Sequence, residues 1–534
     1  MGRDDRGPRR ALPPRRAVPA RGPRREARSR RPSSRRSSWG GAVLWTALGT
    51  VVPGLGLLRA RRWVSGGLAL AAFLAALGTA VYMVRHRSTA VTLLSNVTVL
   101  HGLALGLVVL AALLTGVVVH TYRSLAPRRL SQGRRVLSGG LVTLFVFALT
   151  GPTLVAAQYA VSSADVMTKV FTDGPVSVTV PTFAPGADGN PWAHKPRLNI
   201  LLLGYDRGIG RTEEDGGLTD TVMVASIDTT TGNTVLVSIP RETNMMPFPT
   251  SSPLHAEFPC GWSDCTTERV PEFFLNSMYL TLPMYVKPDI IGPTTNLGAD
   301  ALKLSVGQAL GLTIDYYLLV NIDGATQLVD AIGGITVNIN KELPKEPIEL
   351  GTFEPGPNQH LDGEDALQYA RTRHWDDDFQ RNGRQRCVIK AIIDQADPIT
   401  LLTRYEAIAG ASADLIKTDI PAPMISSLFD LALKIKNQGV ITGMGFVDGE
   451  FGFSQTDPDF SAMAKRVAQA LAASVAPSGG PSTGAPQSSA GTTTPGSVTP
   501  GPTPTVSASP GSEDAPLLGA DQNLDDFCAY HPEE

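Results

Sequence analysis

The stretch Asn199-Ile-Leu-Leu-Leu-Gly-Tyr-Asp206 is followed by Leu218-Thr-Asp-Thr-Val-Met-Val-Ala-Ser-Ile-Asp228 and then by Val237-Ser-Ile-Pro-Arg-Glu242. Aliphatic and β-branched runs of this length, bounded by Gly, Asp and Pro, read as buried strands. Their cores are residues 199–203, 221–227 and 234–239. Residues 316–322 and 335–339 continue in the same style, joined by a helix over 324–332. Helical patterns dominate around them, at residues 300–310, 363–370, 381–395 and 457–473. Strands interleaved with helices predict an α/β fold, a central sheet flanked by helices, over residues 197–474.

Outside that domain the chain divides by charge. Residues 1–160 carry 24 arginines, no lysine and three acids (Asp4, Asp5 and Glu26), whereas residues 161–534 carry 23 basic and 46 acidic residues. Such asymmetry excludes a uniform globular enzyme and points to two compartments. Residues 1–38 hold 14 of the arginines among Pro, Ser and Gly, and have too little apolar surface to fold. They are expected as a disordered cytoplasmic tail. A nucleic-acid-binding arm is the competing reading, but the apolar segments just downstream favour a topology signal, and no nucleic-acid partner is expected.

Residues 39–160 read as a transmembrane region of α-helices. Four apolar stretches, at residues 39–58, 64–84, 97–119 and 137–160, are each long enough for the roughly 20 residues that cross a bilayer. Arg59, Arg61 and Arg62 after the first, and Arg123, Arg128, Arg129, Arg134 and Arg135 between the third and fourth, mark cytoplasmic connections. With the tail also inside, the first stretch is not a simple span. Val51-Val-Pro-Gly-Leu-Gly56 is expected to break it into a re-entrant or interfacial hairpin. Three true spans then place residue 161 outside, giving a multi-pass plasma-membrane protein with an extracytoplasmic domain. Four spans would put the acidic domain in the cytoplasm or carry the tail across.

Residues 161–196 read as a stalk, residues 475–514 as a Pro/Ser/Thr/Gly-rich disordered linker, and residues 515–534 as a C-terminal segment containing Cys528. All four cysteines fall in the acidic half, where three pairings are open. The preferred arrangement joins Cys260 to Cys265 locally and ties the far tail back through Cys387 and Cys528, as suits an oxidising compartment.

Two features carry chemistry. Of the 12 arginines after residue 160, five fall between 371 and 386: Arg371, Arg373, Arg381, Arg384 and Arg386. Arg381, Arg384 and Gln385 share a helix face at i, i+3 and i+4, and Arg371 and Arg373 share a face if extended. Guanidinium groups gathered this way suit phosphate oxygens. The second feature is acidic: Asp206 closes one strand, Asp220 opens the next, and Arg241 follows the third. Two carboxylates at a sheet edge beside a phosphate site are natural Mg²⁺ ligands, although taken singly each reads as a turn cap. The glycines of 204–210 match no phosphate loop, lacking both a Walker lysine and GxGxxG.

Together these segments resemble the LytR–CpsA–Psr family of cell-wall phosphotransferases. The matching pieces are NILLLGYDRG (199–208), LTDTVMVASID (218–228), VSIPRE (237–242), LVDAIGGITVNI (328–339), LDGEDALQYARTRH (361–374) and DDFQRNGRQRCVI (377–389). The resemblance implies an enzyme that moves a glycopolymer from a polyprenyl-pyrophosphate lipid to peptidoglycan as a phosphodiester. By position, Asp206 and Asp220 would hold Mg²⁺ (or Mn²⁺). Arg241, Arg371, Arg373, Arg381 and Gln385 would bind the pyrophosphate, with Arg384 and Arg207 as further candidates. Asp206, Asp220, Arg241, Arg371 and Arg373 form the implied catalytic set. The chain departs from the family at Leu218, where Arg is frequent, and at Glu242, where Asp is; a missing guanidinium costs about 1.5–3 kcal/mol of charge-assisted bonding. Two alternatives stand beside the transferase: a pyrophosphatase using water as acceptor, and a non-catalytic wall-binding or regulatory protein on the same fold.

Overall fold

The computed structural model describes residues 38–94, 96–127, 129–171, 177–182, 190–206, 217–266, 268–346, 348–373, 375, 377–396, 416–475 and 521–531. The tail at 1–37, Arg207, and the linker from 476 to 514 lie outside the described residues. The chain forms two compact units, residues 1–73 with 115–147, and residues 74–114 with 148–534.

In the first unit, α1 (Trp39–Val51) and α2 (Leu55–Arg59) are separated by Val52-Pro53-Gly54. Gly54 adopts φ +103°, and a Cβ there would lie 2.4 Å from the Gly66 carbonyl oxygen. Only glycine combines that backbone with so close an approach. Residues 39–58 are therefore two short helices with a corner between them. Three other helices among the described residues are long and apolar enough to cross a membrane: α3 (Trp63–Arg85), α5 (Val97–Leu125) and α6 (Gln132–Val170), the last over Gln132–Asp165. A short helix, α4 (Arg87–Leu94), lies between α3 and α5.

The second unit is built on a mixed seven-stranded sheet of order β11-β10-β3-β2-β1-β4-β9. Its strands are β1 (Arg197–Asp206), β2 (Leu218–Asp228), β3 (Thr234–Ser238), β4 (Tyr316–Asn321), β9 (Ile416–Thr418), β10 (Ile441–Gly445) and β11 (Gln522–Asn523). Two small antiparallel pairs stand apart, β5 (Ile335–Ile339) with β8 (Gly356–Leu361), and β6 (Leu343–Pro344) with β7 (Thr352–Phe353). The chain also forms α7 (Pro253–Glu257), α8 (Met278–Tyr285), α9 (Leu297–Leu310), α10 (Ile322–Ile332), α11 (Gly363–Arg371) and α12 (Asp378–Gln395), with later helices at Ile425–Gln438, Phe460–Val475 and Leu524–Phe527.

Side-chain alternation explains the aliphatic runs. Leu201, Leu203, Val222, Val224, Val235 and Val237 face α8, α9 and the helix Phe460–Val475. Leu202, Met223, Ala225 and Leu236 pack on the opposite face with Ile389 and Ile393 of α12 and with Ile435. A sheet covered on both faces needs apolar residues at nearly every position, not at alternate ones. This is the expected α/β architecture.

The stalk and tail are more closely built in than composition suggests. Helix α6 continues to Val170, and Ser177–Val180 is part of the folded unit. The buried Asp300 carboxylate accepts the Ser177 hydroxyl at 2.6 Å and also those of Thr179 and Thr294. At the other terminus β11 pairs with β10, Leu524 is wholly buried, and a disulfide joins Cys528 to Cys387 on α12. Cys260 and Cys265 form the second disulfide.

Candidate active site at the carboxyl end of strand β1

The register of β1 on β2 places the first acids. Gly204 lies opposite Thr221 and Tyr205 opposite Thr219, so Asp220 is an extra residue on β2, a β-bulge. A Cβ at position 204 would sit 2.9 Å from the Thr221 side chain, which accounts for the glycine. A bulge bends the strand and re-aims the inserted side chain. Asp220 is turned in this way towards the segment beyond β3. Ile239 donates to the Val222 carbonyl at 3.0 Å, extending the antiparallel path two residues to Arg241. There Arg241 Nη1 meets Asp220 Oδ1 at 2.8 Å.

The Asp220 carboxylate also accepts from Asn276 Nδ2 at 3.2 Å, while Arg381 Nη2 donates to the Asp220 carbonyl at 3.0 Å. Burial would raise the Asp220 carboxyl, but the Arg241 charge and the Arg241 and Asn276 hydrogen bonds outweigh it and hold the group below the usual carboxylate range. Arg241 shifts upward: burial opposes its charge, and Asp220 and Asp378 more than compensate. Arg381 shows the reverse balance. Its burial, despite the neighbouring Asp378, pushes the guanidinium down to about 10.

Two helix ends supply the remaining cations. Arg371 is the last residue of α11 and pairs with Asp206, Nη2 to Oδ2 at 2.6 Å. Thr372 turns inward, wholly buried, with its hydroxyl on the Pro344 carbonyl at 2.8 Å, so Arg373 emerges on the same side as Arg371. The Arg371 and Arg373 side chains remain 41% and 51% exposed. Asp377 caps α12, and Asp378 in its first turn forms ion pairs with Arg381 at 3.0 Å, with Arg241 at 3.2 Å and, at the limit of contact, with Arg373 at 4.0 Å.

Asp220, Arg241, Arg373 and Arg381 are thus linked through Asp378 in one set of ion pairs, and Asp206–Arg371 forms a second pair at the same sheet end. Arg384 sits beside them in a different arrangement. Its Nε donates to the Tyr369 carbonyl at 2.9 Å and its Nη2 to the Thr372 carbonyl, holding the end of α11 that presents Arg371 and Arg373. Gln385 Nε2 reaches the Ala370 carbonyl at 3.4 Å. Sequence reasoning missed Asp378 and Asn276. Asp378 had a signal, an acid three residues before Arg381 at a helix start; Asn276 had none, because it arrives from a distant segment whose backbone bonds to Arg241.

The site has unmet bonding capacity. Arg381 Nε and Gln385 Oε1 are buried without a hydrogen-bond partner among the described residues. Native proteins leave few such groups; the Arg381 N–H, a donor within a cluster of cations, suits an anionic ligand, whereas the Gln385 oxygen can only accept. The donor set also suits a hard divalent cation: two carboxylates at adjacent strand ends, with no third carboxylate, Cys or His completing a metal cluster among the described residues. Mg²⁺ characteristically takes one or two carboxylates and fills its shell with water and phosphate oxygens.

Known proteins are similar to this chain over the same region. The sequence model of the LytR_cpsA_psr family matches residues 166–450, more than half of the chain. A relative from Enterococcus faecalis, named polyisoprenyl-teichoic acid–peptidoglycan teichoic acid transferase TagU, is 28% identical over 271 residues, covering 49% of this chain and 76% of its own. The biofilm regulatory protein A of Streptococcus mutans is 27% identical, covering 52% of this chain and 62% of its own. A crystal structure of protein gbs0355 from Streptococcus agalactiae aligns at 23% identity with a TM-score of 0.38, covering 52% of this chain and 88% of that one.

Proposed function

The chain belongs to the LytR–CpsA–Psr family, and from that premise we propose that it is a membrane-anchored phosphotransferase acting on a polyprenyl-pyrophosphate-linked glycopolymer, with peptidoglycan as acceptor. The observation that carries this reading is the meeting of Asp206–Arg371 with Asp220–Arg241–Arg381 at one sheet end, beside the half-exposed Arg373. A pyrophosphate is the ligand class that several guanidinium groups and a carboxylate pair suit together.

The work divides among the residues by position. Arg371 and Arg373 contact the pyrophosphate from the open side, and Arg241 and Arg381 meet it from below. Arg384 and Gln385 hold the end of α11 so that the first pair is aimed. An acceptor sugar hydroxyl attacks the phosphorus nearer the glycan and gives up its proton to water, a new P–O bond forms as the bridging P–O bond breaks, and prenyl phosphate leaves. The fixed guanidinium groups stabilise the charge that grows on that leaving group. Asp206 and Asp220 would hold Mg²⁺ (or Mn²⁺), which when bound supplies further neutralisation of phosphate charge.

The placement in the membrane rests on three supports. Helices α3, α5 and α6 are long and apolar enough to span. Arginines crowd the α5–α6 connection, as in a cytoplasmic loop. On α4, between α3 and α5, Thr92 donates to Ser426 at 2.8 Å, at the start of the helix Ile425–Gln438. With three spans, α4 and the sheet domain fall on the same side, opposite the arginine-rich connection, and so outside.

The test is turnover of a synthetic prenyl-pyrophosphoryl glycan by the full chain in nanodiscs, with and without Mg²⁺ and a peptidoglycan acceptor. Metal-dependent transfer is expected, reduced about 100-fold or more in Asp220→Ala and Arg371→Ala. Release of prenyl phosphate with acceptor present but unused would instead favour a pyrophosphatase. Equal lipid binding by wild type and variants without turnover would sink the assignment.

A further inference from the structure

The connection between α11 and α12 carries a feature that the pyrophosphate chemistry does not use. The sheet domain and stalk contain three tryptophans. Trp262 is wholly buried and Trp192 is packed against the hydrophobic core, whereas Trp375 is 71% exposed. Trp375 also has φ +60°, a left-handed conformation that is unusual for a bulky L-residue. Both flanks are anchored. On one side Thr372 is fixed by its hydroxyl on Pro344 and by Arg384 on its carbonyl. On the other, the Asp377 carboxylate accepts from Phe379 N at 3.0 Å and Gln380 N at 2.7 Å. Trp375 stands between these two anchors.

A large apolar ring held outward in a strained backbone position, with no core to fill, is a signal of function. Its position names the ligand. Trp375 lies two residues from Arg373 and three from Asp378, both members of the ion-pair set. In a lipid-linked glycan the group bonded directly to the pyrophosphate is a sugar. A pyranose ring has an apolar C–H face that stacks on an indole and hydroxyls at its rim that remain in water, which fits a single exposed aromatic surface. A prenyl chain would need a long covered groove instead.

We propose that Trp375 is a saccharide platform that stacks on a pyranose ring next to the pyrophosphate and positions it for transfer; this rests on the functional reading above. The ring belongs either to the donor glycan or to the peptidoglycan acceptor, and three probes separate these sources. They are a short prenyl pyrophosphate without sugar, the same lipid carrying a disaccharide, and a soluble peptidoglycan oligosaccharide, each titrated against the full chain in nanodiscs.

Trp375→Ala is expected to weaken a sugar-bearing probe about tenfold, with Trp375→Tyr retaining most of the affinity, while the bare prenyl pyrophosphate binds as before. The tryptophan fluorescence lost in Trp375→Phe should be the part that responds to the sugar. Loss confined to the disaccharide lipid assigns the donor ring, and loss with the oligosaccharide assigns the acceptor ring. Equal effects on both lipids, or none on any probe, would overturn the platform and leave the transferase reading intact. A wild-type chain that binds neither lipid would sink the transferase reading; Trp375-dependent oligosaccharide binding would then still support the platform, and its absence would sink both.

Discussion

At the amino-terminal end of β1 and β4, Lys303 Nζ meets Asp419 Oδ2 at 2.6 Å with side chains 1% and 3% exposed, and Asp315 pairs with Lys195 at 2.6 Å. At the carboxyl end of β1, Arg371 meets Asp206 at the same distance with side chains 41% and 17% exposed. The first cluster is closed. Lys303 also donates to the carbonyls of Thr179 and Asp315, Asp419 accepts from Tyr317 N, and Asp315 accepts from Asn199 N. The second is open, with guanidinium groups facing water and buried atoms of Arg381 and Gln385 still lacking partners among the described residues. Ion pairs of like geometry therefore stand in opposite settings: one fastens the stalk to the domain, the other lies open at the proposed anion site.

Breaking one cluster at a time should separate activity from stability. Arg371→Ala is expected to lower turnover about 10²–10³-fold while shifting the thermal midpoint by no more than a few degrees, read by phosphate-release kinetics and calorimetry. Lys303→Met should do the opposite. It leaves Asp419 as a buried uncompensated charge and is expected to destabilise the domain by about 3–5 kcal/mol in denaturant titrations, with turnover per folded molecule preserved. The double variant Lys303→Met/Asp419→Leu should regain most of that stability, since a matched apolar pair removes the unpaired charge.

A smaller effect is expected where the clusters are held in shape. Arg384→Lys loses the fork that engages two carbonyls at the end of α11. Its kcat and kcat/KM for the lipid donor should fall together about tenfold, because on the proposed reading the residue aims Arg371 and Arg373 and does not itself meet substrate. A rise in KM with kcat unchanged would instead assign Arg384 a direct binding contact.

The smallest effect concerns protons, and its sign differs between the two ends. Burial, only partly offset by Lys303, raises the Asp419 carboxyl, so its ionisation opposes folding and acidification relieves that strain above the ordinary carboxylate range. Asp220 lies below that range, so its contribution is present at neutral pH and disappears only as pH falls through its lowered value. On acidification, carbon-detected NMR of the side-chain carboxyls should therefore show Asp419 taking its proton before Asp220. The reverse order would remove the electrostatic contrast between the two ends.

Much of the fold was legible because both sheet faces are covered. The aliphatic runs of β1 to β5 leave few other readings, and the arginines of 371–386 stand out by composition, whereas Asp206 and Asp220 were singled out by their strand-end positions and by the family resemblance. Other elements were hidden for specific physical reasons. Strand β10 reads Ile-Thr-Gly-Met-Gly, a poor strand by propensity, and its glycine at 443 answers to a distant residue: a Cβ there would lie 2.9 Å from Arg386 Cδ. Strand β11 has two residues and exists because β10 and the Cys387–Cys528 bond bring it there. The bulge that turns Asp220 towards Arg241 is a matter of register, which a single strand's sequence does not encode. The role of Arg384 depended on where the carbonyls of α11 end, and this too is a tertiary fact.

The return of the tail to α12 has a further consequence. Residues 387 and 528 are 141 apart in sequence and joined through sulfur, so the polypeptide between them is a covalently closed ring. A protease that cuts once between residues 476 and 520 opens that ring without dividing the molecule. The nicked chain would migrate as one piece on a non-reducing gel and as two after reduction, and the short fragment carrying Leu524 would stay seated on the sheet until the sulfur link was broken.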